Sequence, residues 1–117
     1  MIVKIPYKLF PIANKYEFWA QRAKRVNKEH TLVFSYIEEL PQLPVIVTLT
    51  RIAPRAWDSD NAIIAFKNIR DAISIMYFPG CPAGKMDETE YFTWHYEQRK
   101  GEPKEYSVEI RIEERST

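Results

Sequence analysis

The sequence predicts a single α+β domain, in which a small mixed β-sheet of about four strands carries two helices on one face. Three observations predict this class. Two long stretches repeat apolar residues at helical spacing, four shorter stretches have the composition of strands, and segments with proline or glycine separate them in the order β-α-β-α-β-β. With 117 residues, 45% of them hydrophobic and 28% charged, the chain is long enough for one core and short for two domains, so residues 1–117 are predicted to form one unit.

The first half of the pattern is a strand, a long helix and a second strand. Ile2–Ile5 is a short strand that Pro6 closes. A helix is predicted over residues 15–40, with Asn14 as its N-cap and Glu17 completing a capping box, and it ends before Pro41. Residues 45–52 are β-branched on both faces, which favours an interior strand. The apolar stripe of the helix consists of Tyr16, Trp19, Ala23, Val26, Val33, Ile37 and Leu40, and His30 falls on it as a core or interface residue.

The second half is a helix followed by two strands. The helix is predicted over residues 60–76, and a loop rich in proline and glycine follows it. Strands are predicted over residues 89–98 and 106–113, joined by a polar turn. In the last strand apolar and polar residues alternate, so one face of the sheet is expected to meet solvent. The stripe of the helix consists of Ala62, Phe66, Ile69, Ile73 and Met76.

Composition excludes several classes of function. Cys81 is the only cysteine, so neither an internal disulfide nor a thiol-ligated zinc site is available, and a reducing, cytoplasmic setting fits best. No apolar run approaches the roughly 20 residues that span a bilayer, and the N-terminus does not have the pattern of a secretory signal. The two histidines lack a paired metal spacing, and three glycines form no phosphate-binding loop, so no nucleotide cofactor is expected.

The chemistry-bearing pattern is Asp58-Ser59-Asp60-Asn61, at the point where a strand gives way to a helix. Two carboxylates in alternate positions can project to the same side of extended backbone, and carboxylate oxygens suit a hard cation such as Mg²⁺. The alternative is that Asp60 or Ser59 only caps the following helix.

Three further residues extend this acidic pattern. Lys67 lies seven residues beyond Asp60, which on one helix returns it to nearly the same face, so its ammonium could reach a phosphate held near the aspartates. Its alternative role is an ion pair with Asp71, four residues on. Asp87 and Glu88 follow the loop and could complete a cation site with Asp58 and Asp60.

The first helix carries a second pattern, which is basic. Residues 1–57 contain nine Lys/Arg and four Asp/Glu, whereas residues 58–117 contain eight and twelve, so the charge is +5 in the first part and −4 in the second. Cations around an aromatic residue suit contacts to phosphates and stacking on bases or sugars; a solvated helix face with Trp19 buried is the alternative. The candidate DNA-binding residues are Lys15, Trp19, Arg22, Lys24, Arg25, Lys28 and Arg55.

The chain resembles the RusA family of Holliday junction resolvases of bacteria and their prophages. The resemblance spans most of the chain in short stretches. It is carried by Asn14 ahead of Trp19-Ala20-Gln21-Arg22-Ala23-Lys24-Arg25, residues 45–52 followed by Asp58-Ser59-Asp60-Asn61, Ala65-Phe66-Lys67, Arg70-Asp71-Ala72-Ile73, Asp87 ahead of Trp94 and Tyr96, and residues 106–112.

The resemblance implies a homodimeric, Mg²⁺-dependent endonuclease, with Mn²⁺ as the alternative metal, that cuts two opposing strands of a four-way DNA junction. Asp58, Asp60 and Asp87 would hold the metal, with Glu88 as an alternative or additional ligand. Lys67 would stabilise the attacked phosphate, and a water activated by the metal would be the nucleophile. A RusA-like protein that holds branched DNA without cutting it is the alternative.

Overall fold

The structure is a computed structural model that describes residues 1–12, 16–80 and 90–116. It confirms the predicted class, because a four-stranded mixed sheet and helices pack into one hydrophobic core. None of the helices in these three segments is long and apolar enough to cross a membrane. The elements are β1 (Ile2–Ile5), α1 (Trp19–Tyr36), β2 (Val45–Ala53), α2 (Ser59–Ala65), α3 (Lys67–Tyr77), β3 (Phe92–Lys100) and β4 (Ser107–Glu114).

The sheet has the spatial order β1-β4-β2-β3. As its β-branched composition predicted, β2 is an interior strand, hydrogen-bonded in parallel to β3 and antiparallel to β4. The two final strands are consecutive in sequence but do not pair with each other, because β2 lies between them. The carboxyl ends of β2 and β3 consequently meet at one edge, where Arg51 is the partner of Gln98.

Alternation along the strands places the core on one face of the sheet. In β4, Val108, Ile110 and Ile112 are fully buried, whereas Glu109 and Arg111 between them remain partly exposed. Val45, Val47 and Leu49 of β2 lie on the same side of the sheet. They pack in one core with Val33 of α1 and with Ile69 and Ile73 of α3. The helices therefore cover one face, as predicted, and the other face is largely polar, with Ile46 and Ile52 of β2 among its side chains.

The first helix is shorter than predicted at both ends. It begins at Trp19 rather than at residue 15, and Glu17 lies before it, bonded to the side chain of Arg25. Asn14, the other half of the predicted capping box, lies outside the described residues. At the other end Ile37 has an extended conformation (φ −93°, ψ 111°) and is buried, so the chain leaves the helix to fill the core before Pro41 is reached.

The second predicted helix is two helices. Phe66 interrupts it with φ −84° and ψ −1°, and its N–H donates to the carbonyl oxygen of Ile63 at 3.1 Å, a tighter turn than the α-helical one. The Phe66 side chain is fully buried beneath the helices, 6.1 Å from the ring of Tyr96. Burial of this ring accompanies the break, which separates the acidic motif on α2 from Lys67 on α3.

Candidate functional site

The loop that precedes the acidic motif is fixed by side chains from the edge where β2 and β3 end. The Gln98 side chain accepts a hydrogen bond from the Trp57 N–H and donates one to the Trp57 carbonyl oxygen, both at 2.8 Å. Arg51 donates to the carbonyl oxygen of Arg55 at 2.8 Å and to Gln98 at 3.1 Å. Its guanidinium lies 3.7 Å from the centre of the Trp57 ring, a cation–π contact. Burial lowers the pKa of Arg51, partly offset by the nearby Tyr106.

Asp58 and Asp60 follow this fixed loop, and both are exposed. Asp58 occupies the N-cap position of α2, where its carbonyl oxygen accepts the N–H of Ala62 at 3.1 Å, but its side chain makes no capping hydrogen bond. The alternative in which Ser59 or Asp60 caps the helix is therefore not the observed arrangement, since both lie inside α2. Within the described segments, both carboxylates face solvent without a hydrogen bond or ion pair.

Lys67 forms the ion pair that its spacing to Asp71 predicted, with Nζ 3.3 Å from a carboxylate oxygen. The Lys67 side chain is 74% exposed and that of Asp71 is 9% exposed. This confirms Asp71 as a structural partner. The break at Phe66 means that Lys67 and Asp60 do not lie on one continuous helix, so the seven-residue spacing does not by itself bring them together.

The third predicted carboxylate position lies outside the described residues, since Asp87 and Glu88 both fall between residues 80 and 90. Across the described segments no three His, Cys, Asp or Glu side chains gather closely enough to hold a metal ion. Asp58 and Asp60 have the right donor chemistry for Mg²⁺, being exposed carboxylates uncommitted to other described residues. A cation site built on these two side chains would need further ligands, and the predicted ones, Asp87 and Glu88, lie outside the described residues.

The basic residues of α1 divide into two groups. Arg22, Lys24 and Lys28 are exposed, as a DNA-binding face requires. Arg25 is not on that face, because its side chain is only 9% exposed and pairs with Glu17 at 2.8 Å and Glu29 at 3.3 Å. Of the remaining candidates, Arg55 is exposed and Lys15 lies outside the described residues.

Trp19 is 76% exposed, so the interpretation in which it belongs to the core stripe of α1 is wrong. Tyr16 is 92% exposed and leaves the stripe for the same reason: the first turns of α1 and the residues before them extend beyond the packed core. The buried stripe of α1 begins at Glu29 and continues through Val33 to Ile37.

Glu29 is a buried charge that the sequence interpretation missed. It accepts hydrogen bonds from Tyr7 at 2.5 Å, Asn68 at 3.0 Å and Arg25 at 3.3 Å, and so joins the segment after β1 to α1 and α3. Burial and the Glu29 carboxylate raise the pKa of Tyr7 above its ordinary value. Burial opposes the charged guanidinium of Arg25, but Glu17 and Glu29 outweigh it and raise its pKa.

The sequence carries a signal for one of the two positions that its interpretation missed. Glu29 lies three residues after Val26 and four before Val33, so it occupies the apolar stripe where a charged side chain needs partners. Gln98 gave no comparable signal, because its role depends on β2 and β3 pairing in parallel.

Comparison with known proteins assigns no family: no family model, no curated protein and no solved structure matches the chain. The fold and site define a small α+β domain with an exposed aspartate pair after its central strand.

Proposed function

We propose that this protein is a Mg²⁺-dependent, structure-selective endodeoxyribonuclease that resolves four-way DNA junctions by paired nicks, as the RusA-like motifs imply. The observation that carries the proposal is the state of Asp58 and Asp60. The carboxylates of both are exposed and make no hydrogen bond or ion pair with a described residue, yet they follow a loop held by Gln98 and Arg51. Uncommitted carboxylates on a rigid support are what a cation site needs, since orienting the ligands then costs little on binding.

The metal would be held by Asp58 and Asp60 together with Asp87, Glu88 or both. When bound, Mg²⁺ would activate water and neutralise charge on the phosphoryl group. Side chains of the protein would position the substrate. Lys67 would contact the phosphate, because its side chain is 74% exposed and its ammonium has three donors, so it can remain paired with the largely buried Asp71 while it contacts a phosphate oxygen.

DNA contact would come from Arg22, Lys24 and Lys28 on α1 and from Arg55 beside the acidic motif, all exposed. A cavity of about 220 Å³ lies next to Arg55 and is lined in part by Arg51, Arg99 and Lys100. Cations there would attract the DNA backbone towards the aspartates. A homodimer with two-fold symmetry would present two such sites to the two opposing strands of a junction. A cytoplasmic setting in a bacterial cell accords with this activity.

The experiment is a cleavage assay with a labelled synthetic four-way junction and a linear duplex of the same sequence, each with Mg²⁺ and with EDTA. The proposal expects paired nicks in the junction alone, in Mg²⁺ alone. Tight junction binding without cleavage would support instead a RusA-like protein that binds branched DNA. Equal cleavage of the duplex would contradict structure selectivity.

A further inference from the structure

Three aromatic side chains are exposed at the beginning of α1. Tyr16 is 92% exposed, Trp19 76% and Phe18 46%, and the rings of Phe18 and Trp19 lie 6.2 Å apart in a tilted arrangement. Exposed aromatic rings grouped in this way are uncommon on a protein surface unless they bind something. We call Tyr16, Phe18, Trp19, Arg22 and Lys24 the aromatic-basic surface.

This surface is positively charged because the neighbouring acidic side chains are bonded elsewhere and are not exposed on it. Glu17 is bonded twice to Arg25, at 2.8 and 3.0 Å, and Glu29 is buried against Arg25, Tyr7 and Asn68. The positive charge of Arg25 is thereby balanced by carboxylates in a nearly buried cluster. The exposed charges between residues 16 and 28 are those of Arg22, Lys24 and Lys28.

A cavity lies beside Arg22, on the same helix as Trp19. Arg22, Val26, Ile64 and Lys67 help to line a cavity of about 280 Å³ between α1 and the junction of α2 with α3. Arg22 lies three residues after Trp19, which makes the two neighbours on the helix surface. A ligand stacked on Trp19 would therefore lie close to this cavity and to its cationic side chains.

We propose that the aromatic-basic surface binds unpaired, single-stranded DNA. Bases stack on Trp19 and Tyr16, while phosphates contact Arg22, Lys24 and Lys67. Stacking requires base faces that are free, and a positively charged groove beside aromatic rings is the combination that holds single strands without sequence preference. The inference goes beyond the proposed nuclease function, because it needs neither a metal nor the aspartates.

Charge favours DNA over a second copy of this chain as the occupant. In a two-fold interface the same surface meets itself, so Arg22 and Lys24 would face their own copies, and Arg22, Lys24 and Lys28 are the exposed charged residues between residues 16 and 28. Burying these charges at the centre of such an interface would also carry a desolvation cost. A polyanion is complementary to the same surface.

The test measures binding of a fluorescently labelled 15-nucleotide poly(dT) and of a 15-base-pair duplex by anisotropy, in EDTA so that no cleavage occurs. The full chain should bind the single strand at least about 10-fold more tightly than the duplex. Trp19→Ala should weaken single-strand binding by about 5- to 150-fold, since one stacked base contributes about 1–3 kcal/mol. Trp19→Phe, which keeps a ring, should retain most of the binding.

Tyr36→Ala is the matched control, because Tyr36 is an exposed aromatic residue at the opposite end of α1 and should leave binding unchanged. Sedimentation of each variant reports its oligomeric state. Equal binding by Trp19→Ala and the parent chain, or a preference for duplex, would overturn the proposal. Loss of binding together with dissociation of an oligomer would overturn it too, and would assign the surface to contact between copies. Junction cleavage measured separately shows whether the nuclease proposal stands, whichever result is obtained.

Discussion

Gln98 on β3 holds the backbone of Trp57 by two hydrogen bonds of 2.8 Å, one accepted from the N–H and one donated to the carbonyl oxygen. The amide thus substitutes for a strand neighbour and fixes the loop one residue before Asp58. Arg51 adds its own bond to the Gln98 oxygen at 3.1 Å and lies against the Trp57 ring. The position of the acidic motif therefore depends on two parallel strands ending at the same edge.

Replacing Gln98 by leucine should destabilise the protein and displace the acidic motif. The substitution keeps a similar volume but removes both bonds to Trp57 and leaves Arg51 with one acceptor fewer, at a cost of about 1–3 kcal/mol. Urea unfolding should show a lower midpoint with an unchanged slope. Junction cleavage should also fall. His95→Gln, at an exposed position of β3, is the control and should change neither quantity; a Gln98→Leu protein as stable as its parent would contradict the assigned role.

Replacing Asp60 by asparagine should abolish junction cleavage and leave junction binding intact or improved. The change removes one charge from the proposed cation site at nearly constant shape, and Asp60 is exposed, so stability should change by less than about 0.5 kcal/mol. Glu38→Gln, an exposed carboxylate after α1, is the control for loss of one charge and should cut normally.

Millimolar Mg²⁺ should raise the melting temperature of the parent protein, because a ligand that binds only the folded state stabilises that state. The rise should be smaller for Asp60→Asn. Full cleavage by Asp60→Asn would show that the assigned site is wrong.

Replacing Glu29 by leucine should be among the most destabilising single changes in α1. Its side chain is fully buried and accepts from Tyr7, Arg25 and Asn68, so the change leaves Tyr7 and Asn68 without this acceptor and Arg25 with Glu17 alone, at a cost of about 3–5 kcal/mol. The lower end is expected because Arg25 keeps Glu17. Chemical denaturation measures the loss. The exposed Glu39→Leu serves as the comparison, and similar losses in the two variants would refute the argument.

Stability should decrease as the pH rises from about 10 to about 12. Burial and the nearby Glu114 raise the pKa of Tyr77 from 10.0 to about 12, and its hydroxyl donates to the carbonyl oxygen of Pro41 at 2.6 Å. Above pH 10 the unfolded chain loses this proton while the folded chain keeps it, so the folded state binds more protons and the free energy of unfolding falls. The contribution is complete below pH 10 and lost by about pH 12.

The measurement is the free energy of unfolding in urea at several pH values between 8 and 12. Tyr77→Phe should show a shallower decline than the parent, and Tyr7→Phe should reduce it as well because the pKa of Tyr7 is also raised. Tyr16→Phe is the control, since Tyr16 is 92% exposed and should not alter the decline. An identical pH dependence in Tyr77→Phe would contradict the prediction.

The sequence by itself determined the class of fold, the central position of β2 and the inner and outer faces of β4. These features depend on local periodicity and on β-branched composition, which act within a few residues. The Lys67–Asp71 ion pair was predictable for the same reason, because four residues separate neighbours on one helix turn.

Tertiary structure alone decided the rest. Phe66 breaks the second helix where its ring is buried, β2 separates β3 from β4, and Arg25 is drawn into a buried cluster while Trp19 is left outside. Each outcome depends on contacts between residues distant in sequence, such as Glu29 with Asn68 and Gln98 with Trp57. The local sequence pattern around a residue does not show whether a distant partner will be present. Such contacts contribute their free energy only when the helices and strands pack together.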